Sequence, residues 1–311
     1  MGAVADAPAP KALEGPHGLR PRYDLIFAAV GLFAMLVGVL TLAALIIELV
    51  IDGAARIDGQ FLSSFPSRRP AQAGILSAWV GTALVMLVTG LVAVPLGIAS
   101  AVYLEEYAPR NRLADLIEIN VANLAGVPSI IYGLLALGLL VYGLGLGRSV
   151  LTAGLTLALL VLPIIVVATR EALRAVPPTV REAAFALGAT RWRVVYDHVL
   201  PYSAGGISTG VIIALSRAIG ETAPLITIGA LTFIAFLPPS PVQAEPPFLN
   251  FSWLLDAFTV LPIQMFNWTS RPQAAFHVNA AATGVLLLGM TLMMNGFAIY
   301  LRYRLRRNLR T

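Results

Sequence analysis

Two ionisable residues stand in a stretch that is otherwise without charge. In ALSRAIGETAPL (Ala214–Leu225), Arg217 and Glu221 are four residues apart, a helical spacing that puts them on one face and lets them pair. Inside a membrane each costs on the order of 3 kcal/mol on insertion scales, so both must face a bundle interior or a watery path. Pro224 has no N–H for the Gly220 carbonyl and its ring clashes there, so the helix is expected to open at Glu221. Ser216 and Thr222 flank the pair with hydroxyls that can serve either opened backbone or a substrate. Arginine, carboxylate and kink together describe a polar constriction. A structural bridge between helices is the alternative reading of the same pair.

The run REAAFALGATRWRVVYDHVLP (Arg181–Pro201) is a second unusual stretch, polar and helix-forming between apolar segments. Thr179 precedes Glu182 by three residues, the capping-box spacing, so a short helix is expected from about Val180. Gly188 can adopt the left-handed conformation that ends it. Thr190 can cap a second short helix that runs to Leu200 and stops at Pro201. Ala183, Ala184 and Leu187 would then form a small flat apolar knob suited to docking. The alternative is a plain loop on the bilayer surface.

The elements carrying these residues are membrane helices. The 311 residues are 58% hydrophobic and 12% charged, with mean hydropathy +0.82, far from soluble domains. Apolar runs at Leu25–Ile47, Gln72–Leu104, Ile119–Gly147, Ser149–Thr169, Val199–Ser216 continuing to Ala244, and Val278–Leu301 each suffice for a span, which takes about 20 residues. The fold class is all-α, a membrane protein with six transmembrane helices. Pro128 is expected to kink the third; Gly126, Gly133 and Gly138 either allow close packing or belong to the same pathway. Trp79, Trp253 and Trp268 fit interfacial belts, and Asn295 in the sixth span fits an inter-helix hydrogen bond. With an inside amino terminus, fifteen basic residues fall on cytoplasmic segments and five outside, which puts both termini and the 176–201 loop in the cytoplasm.

Residues 1–20 read as a disordered cytoplasmic tail, 21–70 as the first transmembrane helix, an uncleaved anchor, with an extracytoplasmic loop, 71–302 as a five-helix core, and 303–311 as a basic tail, the arginines from Arg302 to Arg310 meeting anionic membrane lipid. The Pro-rich outer segment has a central part, Phe251–Phe266, apolar enough to lie in the membrane interface or dip back into it. Topology accounts for the pI of about 9.8, so nucleic acid is not an expected partner. Lys11 is the only lysine, so the chain has no GxxxxGK[ST] phosphate loop and no ATPase site of its own. It has no cysteine, and His17, His198 and His277 lie in different segments, so neither a metal nor a cofactor site is expected.

The loop resembles the EAA motif of ABC importer permeases: Glu182, Ala183, Ala184, Gly188, Leu200 and Pro201 hold the pattern, with His198 where many members carry Ile. RAIGETAPL, LAGVPSIIYG and FTVLPIQMFNW are similar to the PstA family of phosphate permeases, over roughly residues 72–301. The resemblance implies the type I ABC importer (MetI-like) permease fold in a bacterial plasma membrane. It also implies a second permease subunit (PstC-like), an ATPase dimer (PstB-like) that binds ATP and magnesium, and an extracytoplasmic phosphate-binding protein (PstS-like). On that reading Arg217, Glu221, Thr222 and Pro224 belong to the substrate pathway, and the EAA residues couple to the ATPase. A permease for sulfate, molybdate or phosphonate, a proton-coupled secondary transporter, and a non-transporting sensor remain rivals.

Overall fold

The computed structural model describes residues 20–109, 111–243 and 248–308; the expected disordered tail and the end of the basic tail fall outside them. The described chain is helical, its only β features being two isolated bridges. It comprises α1 (Arg20–Gly53), α2 (Gly59–Ser63), α3 (Leu76–Val102), α4 (Arg112–Leu124), α5 (Ser129–Ala136), α6 (Val150–Arg174), α7 (Pro178–Ala186), α8 (Arg191–Arg193), α9 (Leu200–Gly220), α10 (Ala223–Thr227), α11 (Leu261–Thr269) and α12 (Ala274–Asn308). Among the described residues five helices are long and apolar enough to cross a membrane, or six if one bent pair counts as a span.

The chain divides into two compact units, up to Glu48 and from Leu49 onward. In the first, α1 exposes every residue from Tyr23 to Glu48. An apolar helix with no buried face is stable only in lipid.

The second unit is built on α3, α6 and α9. Small residues let these helices touch: a Cβ on Gly154 would overlap Val88, and one on Gly210 would overlap the Cβ of Ala168. With no hydrophobic force between helices in lipid, such close approach supplies the packing energy. These contacts make α3 and α6 parallel and α9 antiparallel to both.

Three expectations are refined. The third run, Ile119–Gly147, bends where Pro128 was expected to kink it, but by 106°, as a broken span or a re-entrant loop made of α4 and the α5 segment. Pro128 is the N-cap of α5 rather than a residue inside a helix, because proline pushes the preceding Val127 out of helical geometry. Trp253 and Trp268 are buried rather than interfacial; in the 251–266 segment Trp253, Phe258, Val260 and Ile263 pack against Val85, Val88 and Leu157, while Phe251, Leu255 and Phe266 are exposed. The segment is pinned where Leu261 N donates to Thr82 Oγ1 at 2.9 Å. Gly133 serves packing, since a Cβ there would meet Pro224 and Thr227; Gly138 has nothing within 4 Å.

Gly210→Ala should therefore overpack the α6–α9 contact by about 1–3 kcal/mol and lower the melting temperature in detergent. Gly138→Ala should leave it unchanged. Equal melting of the two variants would contradict this packing.

Candidate functional site

α9 ends at Gly220, and Glu221 is extended (φ −73, ψ 127) before Pro224 opens α10. The break falls where the proline's missing donor puts it. Arg217 Nε donates to Glu221 Oε1 at 3.2 Å, with the Arg217 side chain 44% exposed and that of Glu221 16%. Both terminal nitrogens of Arg217 lack a protein acceptor among the described residues. The carboxylate thus fixes the guanidinium from one side and leaves its fork for a planar or tetrahedral oxyanion.

Around the break, Ser216 Oγ lies 2.6 Å from the Ile212 carbonyl and 2.7 Å from Asn295 Oδ1 on α12, the inter-helix contact expected of Asn295. Thr222 Oγ1 is 3.5 Å from the Gly220 carbonyl, too long to hold it firmly. Thr222 instead lines a cleft of 480 Å³ with Gly220, Ala223, Ile226, Pro262 and Met265. Pro224 is buried against Gly133, which seats α10 on α5.

The EAA-like loop is a helical hairpin. α7 begins at Pro178 with Pro177 as N-cap and no side-chain cap, so the Thr179–Glu182 capping box does not form. Pro178 at the first helical position needs no cap for its missing N–H and presets φ, which starts the helix early. Gly188 adopts φ +79. Gly188 N bonds to Phe185 O at 2.9 Å and Ala189 N to Ala184 O at 3.1 Å, a Schellman closure. Thr190 caps the next helix through Arg193 N.

That helix does not stop at Pro201. It continues through a π turn at Val194–Val199 into α9, as one helix from Arg191 to Gly220. The widened turn takes up the backbone register that Pro201 cannot complete.

Nor is the knob as expected. Ala184 is buried with Leu173, Val176, Val194 and Val199, while Ala183 and Glu182 are exposed and Leu187 is 90% exposed. The outward face also carries Phe185 and the stacked pair Trp192–Tyr196, with ring centroids 5.8 Å apart. Those aromatics were not singled out from the sequence, although four large apolar residues in a polar loop are a signal.

An ion-pair network beneath the hairpin was also missed. Arg181 NH2 donates to Glu106 Oε1 at 2.6 Å and to the Leu173 carbonyl at 3.0 Å, and NH1 to the Val176 carbonyl at 2.9 Å. Glu105 receives Arg170 and Arg174, and Glu118 on α4 pairs with both, the Arg170 contact being 2.8 Å. The hydrogen bond from Arg170 holds the Glu118 carboxyl below its usual range, opposed by desolvation and assisted by a hydrogen bond from Arg174 and by the charges of both arginines. α4, with Arg112, Asp115 and Glu118 three residues apart, lies at this end of the bundle. Glu105, Glu106, Arg174, Arg181 and Arg191 open onto a cavity of 650 Å³.

Long apolar helices held by small-residue contacts, a helix break carrying an arginine–carboxylate pair and an exposed apolar hairpin fit a membrane-embedded component. The chain belongs to the family of binding-protein-dependent transport system inner membrane components, whose model matches residues 93–307. It is 30% identical over 286 residues to "Phosphate transport system permease protein PstA" of Yersinia pestis, covering 88% of each chain. It is 32% identical over 206 residues to "Probable ABC transporter permease protein YqgI" of Bacillus subtilis, covering 66% of this chain and 70% of that one. With PstA 1 of Mycobacterium tuberculosis (strain CDC 1551 / Oshkosh) it shares 39% over 155 residues, half of this chain and 51% of the relative.

The fold matches a bacterial alginate ABC transporter solved with its pentasaccharide-bound periplasmic protein, at TM-score 0.63 and 15% identity over 92% of this chain and 96% of that one. It also matches the MetNI methionine ABC transporter at TM-score 0.54 and 18% identity, over 75% and 94%. The chain is thus an integral inner-membrane permease with the MetI-like fold.

Arg181→Met should remove about 2 kcal/mol of charge-assisted hydrogen bonding from the hairpin. Amide exchange over residues 178–190 should quicken about 30-fold while the spans keep their protection. Unchanged exchange in the hairpin would show that the network does not hold it.

Proposed function

We propose that this chain is the permease subunit of an ATP-driven phosphate importer and forms half of the inorganic phosphate pathway. A second permease would complete the pathway, an ATPase dimer would bind ATP and magnesium and grip the hairpin, and a binding protein outside would deliver phosphate. Both termini and the hairpin face the cytoplasm, as the excess of basic residues on those segments favours. The chain performs no chemistry of its own.

The observation that carries this reading is the half-used guanidinium of Arg217 at the break, held through Nε by Glu221. Its free fork offers phosphate two parallel donors. Glu221 can accept the hydrogen that HPO4(2−) still carries, whereas sulfate has none to give and meets only like charge. The carboxylate also lowers the net positive charge, so binding stays weak enough for release, as transport requires. Relatives named for phosphate transport support the same substrate.

Arg217→Gln should reduce labelled phosphate uptake by reconstituted complex at least a hundredfold, with the ATPase still co-purifying. Normal uptake by this variant would end the proposal, and loss of the assembled complex would favour a structural bridge.

A further inference from the structure

A second arginine with donors to spare lies against the helix that carries Arg217. Arg302 NH1 on α12 donates to Thr209 Oγ1 of α9 at 2.7 Å. Among the described residues no carboxylate lies within 4.0 Å of it, whereas Arg170, Arg174 and Arg181 all hold carboxylates. Its remaining donors have no protein acceptor there either.

The contact is one rung of a polar seam. Seven residues along α9 from Thr209 is Ser216, and seven residues back along α12 from Arg302 is Asn295; these two meet at 2.7 Å. Seven residues bring a side chain back to nearly the same helical face, so the rungs stack about 10 Å apart at 1.5 Å per residue. Arg217 follows Ser216 directly, about 12 Å along α9 from Thr209.

Packing alone does not call for such a seam, since hydrogen bonds between helices in lipid average only about 0.6 kcal/mol. Two incompletely paired guanidinium groups about 12 Å apart along α9, with Arg217 about a quarter-turn round the helix from the hydroxyl and amide groups of the seam, are what an anion needs to move between weak sites.

Building on the phosphate reading of Arg217, we propose that Arg302 with Thr209 is a second phosphate-group station, on the inner half of the pathway, that takes the ion from Arg217 toward the cytoplasm. A lipid headgroup offers the same phosphate chemistry; the proposal is for the transported ion. Thr209 holds one nitrogen and leaves the rest of the fork for it.

The test is phosphate uptake by the full importer, with both permeases, ATPase and binding protein, in vesicles of phosphatidylcholine alone and with about one third phosphatidylglycerol. Arg302→Gln should lower maximal uptake about tenfold in both lipids. Arg302→Lys should restore about half of it, and half-saturation, set by capture outside, should stay within twofold. Thr209→Asp, which neutralises Arg302 while keeping it bonded, should give the same loss even where the Gln variant fails to assemble. Normal uptake by the Asp variant overturns the station. A loss confined to anionic vesicles assigns Arg302 to lipid and overturns it as well. Should the wild-type importer take up no phosphate, both this proposal and the phosphate reading fall; wild-type uptake with unaffected variants removes this one alone.

Discussion

A helix that ends inside hydrocarbon leaves backbone groups with no water to bond, and they must be covered by protein or line a wet cavity. That constraint at Gly220–Thr222 organises the rest of the bundle. α12 ends its span at Arg304, and Arg302 meets α9 at Thr209. From Leu200 to Gly220 α9 rises about 30 Å, about the thickness of the hydrocarbon core. The opened backbone beyond it is flanked by α10, seated on Gly133, and by the 251–266 segment, which packs against α3 and α6. The cost of breaking the helix is offset by this packing, and what it provides is an arginine and a carboxylate held on opened backbone.

The hairpin and the break are mechanically one object. A single helix from Arg191 to Gly220 joins them, and the hairpin's other arm is bound through Arg181 to Glu106 at the end of α3 and to the carboxyl end of α6. A partner that displaced the hairpin would pull on α9 and, through the ion pairs, on α3 and α6. The π turn at Val194–Val199 is an irregular link in that connection, as is the π turn at Tyr103–Tyr107 that carries Glu106, and such turns are common places for a helix to yield.

What could be read from the residues was local. Pro224 foretold the opening at Glu221, Gly188 the end of α7, and Thr190 the next cap, because each acts on backbone within four residues. The capping box failed because Pro177–Pro178 start the helix first, and Pro201 failed as a stop because a π turn two to seven residues before it changes the register. Pro128 marked the bend between α4 and α5, but its size, 106°, was hidden in a continuous apolar run, where hydropathy carries no direction. Arg181–Glu106, 75 residues apart, and Arg302–Thr209, 93 apart, are tertiary facts with no trace in spacing. Trp253 and Trp268 look interfacial by type and are core by fold, since Trp253 packs with Val85 and Leu157 and Trp268 with Phe61 and Phe276.

The central claim is that the break at Glu221 is a watery passage for phosphate rather than a packed joint. The chain has no cysteine, so Thr222→Cys in the assembled importer gives one thiol beside the break. The account predicts that a charged, membrane-impermeant thiol reagent modifies it, that phosphate slows the reaction severalfold where sulfate does not, and that the side of access changes when ATP is trapped on the ATPase. A thiol that stays unmodified in every state, or one whose rate ignores phosphate, would contradict it.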